Sequence, residues 1–167
     1  MNVHRGKKAR KAVYRWLSLG LLSLLLIPFG TTAYAASGTS VRALTGAPPS
    51  ELVAPMSIFN PSHLYLDSGG SSITASTGKV TVAASTTALI AVDSIGITFY
   101  VQKWNGSSWE TVGSGTTTGG NNASSYTNSL ARTVTSGYYY RSRTIHWVIE
   151  NGVYEEGELF SSSVLVS

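Results

Sequence analysis

The sequence predicts an all-β protein built as a single antiparallel β-sandwich of about seven strands. Short runs rich in Thr, Val, Ile, Tyr and Trp recur between clusters of Gly, Ser, Thr and Asn, a texture typical of strands separated by turns. Helical periodicity is nearly missing, because only TTALIAVD could form a turn of helix. The runs occupy roughly 100 residues, which is enough for one hydrophobic core and too few for two domains.

The first 35 residues have the composition of a secretory signal peptide. Six basic residues and no acidic residue precede and flank the start of the apolar run WLSLGLLSLLLIPFG, and TTAYA then supplies small residues. This order predicts a signal peptide over residues 1–35 with cleavage between Ala35 and Ala36. An uncleaved anchor is the alternative, but it needs about 20 apolar residues, and this run is shorter and is interrupted by Gly20 and Pro28.

Removal of the signal peptide changes the charge balance. The whole chain has 12 Lys and Arg against 8 Asp and Glu, but six of the 12 lie in the signal, so the mature protein carries a net charge of −2. The basic excess therefore predicts neither a nucleic-acid partner nor, after cleavage, a membrane partner. Cysteine is absent, which excludes a disulfide framework and a lipoprotein anchor. The long basic segment and the missing cysteines favour a product released from a Gram-positive bacterium.

The composition of residues 36–61 predicts a flexible leader, because this segment contains four of the five prolines and shows no hydrophobic periodicity. The β-sandwich domain is predicted over residues 62–167. Its candidate strands are 63–67, 71–76, 79–85, 95–104, 107–114, 129–136, 138–149 and 153–166. The stretch GSGTTTGGNNASS is predicted to be a mobile connection, and no helix with a lysine follows it as a phosphate loop would require.

Alternation assigns the side chains of two strands to opposite faces of the sheet. One face of the strand 95–104 is apolar and predicted to point inward: Ile95, Ile97, Phe99 and Val101. In the strand that starts at Tyr138, we place the face with Tyr140 and Thr144 inward, because the opposite face holds Arg141 and Arg143 and arginine is rarely buried without a partner. Ile145 and Trp147 on the arginine face favour the reverse.

Three segments together resemble a known family: VDSIGITFYVQKWNGSSWETV, TVTSGYYYRSRTIHWV and NGVYEEGELFSSSVLV. The combination is similar to an uncharacterised family of small secreted proteins from Gram-positive bacteria, a domain of unknown function, over roughly residues 65–165. The resemblance implies an immunoglobulin-like or fibronectin III-like sandwich and brings no activity, ligand or catalytic residue. The leader stretch APPSELVAP departs from the family pattern, which is acidic there. SGYYYRSR also resembles a tyrosine corner, with Tyr138 or Tyr140 in the hydrogen-bonding role.

Catalytic and metal-binding groups are scarce in the mature chain. His63 and His146 are its two histidines, whereas a zinc site needs three or four converging ligands. Because His146 lies in the middle of a predicted strand, we expect it to be a packed or hydrogen-bonded residue. Glu155, Glu156 and Glu158 share one predicted strand, which favours a solvated or charged edge over the facing carboxylates of a glycosidase. No serine elbow or calcium-loop spacing occurs. We therefore predict no enzyme activity, no metal and no cofactor.

The stretch KWNGSSWETV is the most function-like feature of the sequence. Its Asn-Gly pair predicts a type I′ turn between two strands. A loop of two or four residues puts Trp104 and Trp109 on one face with Tyr100 and Gln102, and a loop of three residues separates them. These four side chains are candidates for a ligand platform on which a sugar could stack. Alternatively, they cover the core and form cross-strand pairs.

Together these patterns predict a secreted, extracellular, non-enzymatic protein that binds an unknown partner at or outside the cell surface. The second hypothesis is a carbohydrate-binding module for cell-wall or environmental polysaccharide that uses the Trp104/Trp109 hairpin. The third is a small hydrolase that uses the acidic strand. Coplanar, exposed rings would favour the second hypothesis, and a pair of carboxylates facing each other across a cleft would favour the third.

Overall fold

The strands of this chain form one antiparallel sheet. The computed structural model describes residues 41–50 and 56–167. Within them lie eight strands: β1 (Met56–Ile58), β2 (Leu66–Ser76), β3 (Lys79–Trp104), β4 (Trp109–Thr111), β5 (Thr116–Thr133), β6 (Tyr139–Glu150), β7 (Val153–Phe160) and β8 (Val164–Leu165). The strand pairs are antiparallel, which confirms the all-β prediction. The described part of the chain contains no helix long and apolar enough to cross a lipid bilayer.

β3 is the central strand, and it turns a corner part-way along. The main path of the sheet is β1-β2-β3-β6-β7, with β4 and β5 also paired to β3 and β8 paired to β6. The first half of β3 pairs with β2 and the second half with β6, while β5 follows β3 through both halves. Between Thr87 and Val92 the β3–β5 register shifts, so residues 88–91 bulge away from β5. Such a bulge bends a strand and increases its twist, which curls the whole sheet.

The curled sheet is a half-barrel, and the predicted two-layer sandwich is not confirmed. A sandwich needs two separate sheets, whereas β3 and β5 run through the corner and keep all the described strands in one sheet. The predicted mobile connection at residues 113–125 also differs from the structure, because most of it belongs to the long strand β5. Its Gly, Asn and Ser residues have low strand propensity, but pairing with β3 satisfies their backbone groups.

The hydrophobic core lies inside the curl. The side chains of Ile95, Ile97, Phe99 and Val101 are at most 1% exposed, which confirms their predicted inward face. Tyr140, Ser142 and Thr144 are likewise buried, so the face of β6 that we placed inward is also confirmed. On the outer face, the indole of Trp147 packs over Gly96 and Gly119, where any Cβ atom would collide with it. Because these two glycines on neighbouring strands have no side chains, the indole of Trp147 can lie flat against the outer face of the sheet.

The tyrosine corner is present, and Tyr140 forms it. Its hydroxyl donates a hydrogen bond of 2.9 Å to the carbonyl of Thr135, five positions earlier in the chain. The other candidate, Tyr138, instead has its ring 4.8 Å from the ammonium of Lys103. The hydrogen bond ties the β5–β6 connection to the start of β6.

Two described parts of the predicted leader, residues 36–61, are hydrogen-bonded to the rest of the domain. The backbone N–H of Leu44 donates to the carbonyl of Gly137 at 2.8 Å. Met56–Ile58 pairs with β2 as strand β1, before the predicted domain start at residue 62. A segment rich in proline and small residues has no hydrophobic periodicity. Its backbone N–H and C=O groups can still form hydrogen bonds with the unpaired backbone groups of a neighbouring segment. The predicted signal peptide and its cleavage site, Ala35 and Ala36, lie outside the described residues.

Candidate functional site

The β3–β4 hairpin holds the two candidate tryptophans directly opposite each other. Trp104 pairs with Trp109, so the loop Asn105–Ser108 has four residues, one of the registers that the sequence allows. The predicted type I′ turn does not form, because it needs two positive φ angles and in this loop only Gly106, at 106°, has one. Instead, the side chain of Asn105 accepts two backbone N–H bonds of the loop, both of 2.9 Å.

The tryptophan rings do not form a flat, exposed platform. Their planes are inclined by 57° with centroids 5.4 Å apart, and Trp104 is only 7% exposed. The guanidinium of Arg141 lies 4.5 Å from the centroid of the Trp109 ring, and its Nε donates to Gln102 at 2.8 Å. The cation thus occupies a ring face that a stacked sugar would need. The arrangement fits a cation–π contact that covers the outside of the sheet.

Tyr100, the fourth candidate of the predicted platform, is also beneath a cation. The guanidinium of Arg143 lies 5.2 Å from its ring centroid, and Arg143 is ion-paired with Glu158. A pocket of about 260 Å³ lies beside the hairpin and is lined in part by Trp109 and Tyr139. It is smaller than the roughly 300 to 1,000 Å³ of ordinary small-molecule sites. The structure therefore brings the four residues onto one face without giving them an open stacking surface.

His146 is buried in the core with both ring nitrogens hydrogen-bonded. Nδ1 lies 2.9 Å from the hydroxyl oxygen of Thr86, and Nε2 lies 2.9 Å from that of Thr144. Because the Thr86 hydroxyl donates to the carbonyl of Gly96, the pattern assigns the proton to Nδ1 and makes Nε2 an acceptor. Burial lowers the pKa of His146 to about 4, against a smaller opposite effect of the Ser85 backbone. The ring is therefore neutral, and it is packed and hydrogen-bonded as the sequence predicted.

The three glutamates of β7 have separate roles. The Glu155 carboxylate accepts the backbone N–H groups of residues 64–66 at 2.6, 2.9 and 2.8 Å. Glu158 pairs with Arg143, and Glu156 accepts a tyrosine hydroxyl at 2.7 Å. The solvated strand face predicted for Glu156 and Glu158 is present, and the loop-holding role of Glu155 was missed. Among the residues that the structure describes, no three His, Asp or Glu side chains group as metal ligands.

Large exposed apolar side chains gather at one end of the half-barrel, where the β3 corner, the loop before β2 and the β6–β7 turn meet. The backbone N–H of Leu89 donates to the Tyr65 carbonyl at 2.8 Å, and that of Asn151 donates to the Asp93 carboxylate at 3.0 Å. We call this surface the apolar end; its residues are Ile58, Leu64, Leu89, Ile90, Val153 and Tyr154, between 39 and 76% exposed. In the described chain, Leu44 is the one other large apolar side chain this exposed.

The ionisable side chains around the apolar end are mostly acidic. Asp93 and Glu150 lie at the junction of β3 with the β6–β7 turn, where Glu150 accepts the backbone N–H of Asp93 at 2.8 Å. Glu155 and Glu156 follow directly on β7. In the described chain these four carboxylates accept hydrogen bonds from backbone N–H groups and a tyrosine hydroxyl, and the ion pair of β7 is made by Glu158 instead. His63, beside Leu64, is the one basic side chain that the described loop places next to this surface.

One signal of the apolar end is visible in the sequence. Residues 88–92, ALIAV, are five consecutive apolar residues, and they break the alternation of β3 at its corner. Alternation requires every second side chain to point outward. A continuous apolar run in an otherwise alternating strand therefore marks a place where apolar side chains stay in solvent.

Comparison with known proteins gives a family. A family model described as "Family of unknown function (DUF6147)" matches residues 56–163. The chain belongs to the DUF6147 family. The DUF6147 match spans β1 to β7, and it confirms the resemblance to an uncharacterised family, while secretion and a Gram-positive source stay predictions.

Two further comparisons add little about this DUF6147 protein. None of the curated proteins matches its sequence. The solution structure of CsgH from R. palustris is similar at 16% identity, covers 55% of this chain and 90% of that chain, and has a TM-score of 0.31. A likeness at this level supports no inference about function.

Proposed function

We propose that this chain is an exported, non-enzymatic binding protein that acts at or outside the cell surface and binds its partner through the apolar end. One observation carries the proposal: six of the seven exposed large apolar side chains in the described residues lie at that end. An exposed apolar patch with a polar rim is characteristic of an interaction site. The composition of residues 1–35 supports export. The position of His146, sealed in the core with both nitrogens bonded, supports a role other than acid–base catalysis.

The rim indicates the chemistry of the partner. Asp93, Glu150, Glu155 and Glu156 give the surface a negative potential, and an apolar partner with acidic groups would be repelled. A polypeptide segment that presents apolar side chains flanked by lysine or arginine satisfies both features. The apolar contact then supplies affinity and the charges supply selectivity and a fast association rate.

We expect residues 36–167 to bind an amphipathic peptide of leucine and lysine, and not its leucine and glutamate analogue. The double substitution Leu89→Ser and Ile90→Ser removes two of the exposed side chains and is expected to weaken binding at least ~10-fold, about 1.4 kcal/mol. Fluorescence titration at low and high salt measures the affinity. Added salt should weaken the interaction, because it screens the acidic rim.

Leu44→Ser is the matched control. Leu44 is 64% exposed, like the residues of the apolar end, but it lies beside Gly137. Its substitution should leave peptide affinity unchanged. Equal loss of affinity in the control and in the double variant, or equal binding of the lysine and glutamate peptides, would contradict the proposed surface.

Carbohydrate binding through the Trp104/Trp109 hairpin is the alternative function. The tilted, arginine-covered rings give it little support. We expect no specific binding when residues 36–167 are screened against glycans and peptidoglycan. A specific signal that disappears in both Trp104→Ala and Trp109→Ala would reinstate the platform, whereas a signal that survives both substitutions would place any sugar site elsewhere.

A further inference from the structure

β5 is a long edge strand with an open side. It has 18 residues and pairs with β3 along one side, and within the described chain no strand pairs with its other side. None of its residues is buried, in contrast to β3, the strand with which it pairs. From Thr116 to Ala131 it contains no charged residue and no proline. Natural sheets usually protect such edges with charges, prolines or short strands, because free N–H and C=O groups invite another strand.

The backbone groups that face the open side can be assigned. The N–H of Val134 donates to the carbonyl of Gly78, so the backbone of Val134 points toward the β3 side. Residues of an antiparallel strand alternate between the two sides. The backbone N–H and C=O groups of Ala131, Ser129, Thr127 and Ser125 therefore point away from β3. Their side chains are exposed as well. The N–H of Ser129 donates to the side-chain oxygen of Asn128 at 2.7 Å, a local bond that a partner strand would replace.

The other edges of the sheet are treated differently. β7 is 8 residues long and presents Glu156 and Glu158 to solvent. The outer side of β2 is covered over Ser68–Gly70 by β1. An edge as long and as uncharged as β5 is therefore a specific feature of this side of the molecule.

We propose that the β5 edge pairs with the β5 edge of a second copy of this chain, in antiparallel register over Ser125–Ala131. An antiparallel pair of identical strands is self-complementary about a two-fold axis, so one contact closes the dimer. No like charges oppose each other in this register, because the single cation of β5, Arg132, then faces uncharged residues of the partner strand.

The side chains of β5 also suit a copy of themselves. Cross-strand pairs of Thr and Ser stabilise a sheet through their hydroxyls, and β5 already makes such a bond to β3, where Thr117 and Thr98 hydroxyls lie 2.9 Å apart. The edge carries no pocket or charge that would select a foreign sequence. This dimer is independent of the apolar end, which lies on other strands.

Sedimentation equilibrium of residues 36–167, which include the compact unit Thr39–Ser167, tests the proposal. A single strand pair buries less than about 1,200 Å², so we expect a weak dimer with a dissociation constant of about 10 to 100 μM. Thr127→Pro removes an outward N–H that β3 does not use and should weaken the dimer at least ~10-fold. Thr127→Ala keeps that N–H and should dimerise like the parent. Leu89→Ser with Ile90→Ser should also still dimerise, since the apolar end is not part of the contact.

Hydrogen exchange on the unsubstituted protein gives a second readout that does not depend on how the proline variant folds. Raising the protein concentration should slow hydrogen exchange at the backbone amides of residues 125, 127, 129 and 131. Exchange at the amides of the other edge strands should not change. A protein that stays monomeric up to about 1 mM, or concentration-dependent protection that appears on β2 or β7 instead, would overturn the self-pairing.

Discussion

Lowering the pH from 7 to 4 is expected to reduce the free energy of unfolding by roughly 3 kcal/mol through His146 alone. The folded ring is neutral with a pKa of about 4, lowered mainly by burial, while the unfolded ring has the ordinary value of 6.5. Between these values the unfolded chain binds the proton and the folded chain does not. Stability from this group is therefore complete above about pH 6.5 and is lost progressively as the pH falls toward 4.

The geometry explains why the folded ring resists protonation. Nε2 accepts the hydroxyl hydrogen of Thr144, so a proton on Nε2 would face that hydrogen until the hydroxyl turned toward the Leu159 carbonyl, 3.4 Å away. The ring also packs against Phe59, with centroids 5.4 Å apart, in an environment that solvates a cation poorly. Protonation therefore costs the desolvation of a charge and requires the Thr144 hydroxyl to exchange its bond to the ring for a longer one to Leu159.

Urea unfolding followed by tryptophan fluorescence at several pH values between 7.5 and 4 measures this slope. His146→Gln should be less stable at pH 7 but nearly flat over the same range, because the titrating group is gone. His63→Gln is the matched control, which keeps His146 and should retain the loss of stability between pH 6.5 and 4 that depends on His146. The explanation fails if the acid loss persists unchanged in the His146 variant.

The sequence predicted those parts of the fold that depend on local alternation. The apolar face from Ile95 to Val101, the inward face of Tyr140 and the hydrogen-bonded state of His146 follow from period-two patterning and from the cost of burying arginine. The tyrosine corner followed from the resemblance. These features are decided within one strand or by its immediate neighbours.

The sequence did not predict features that depend on long-range pairing. The Gly-, Asn- and Ser-rich stretch before Ala123 has weak strand propensity, and it is extended because β3 continues alongside it. The corner at residues 88–91 keeps one sheet where two were expected, and no local pattern distinguishes a bulged strand from two strands joined by a turn. The contact of Arg141, a residue of β6, with the Trp109 ring is also a long-range feature, and a hairpin motif alone could not predict it.

Glu155→Ala is expected to lower the free energy of unfolding at pH 7 by about 2 kcal/mol, and to weaken peptide binding at the apolar end several-fold. The carboxylate accepts three consecutive backbone N–H groups, of Leu64, Tyr65 and Leu66, and so joins β7 to the start of β2. Burial tends to raise the pKa of Glu155, but these donors and His63 outweigh it and hold the pKa below its usual value. The loop carries Leu64, one of the exposed residues of the apolar end, so its release disorders the proposed binding surface.

Glu156→Ala is the matched control, because Glu156 is the next residue, is exposed and accepts only a tyrosine hydroxyl. Its substitution should change stability by less than about 0.5 kcal/mol. Hydrogen exchange should show faster exchange of the amides of residues 64–66 in Glu155→Ala and not in Glu156→Ala. Because the Glu155 bonds require the ionised carboxylate, their contribution is present above pH 4.5 and is lost as the pH falls through the lowered pKa, whereas the contribution of His146 is lost between pH 6.5 and about 4. If His146→Gln removes the pH dependence above about pH 4.5 and Glu155→Ala removes the dependence at lower pH, the acid sensitivity of the protein belongs to two different contacts: a buried ring held neutral and a carboxylate held charged.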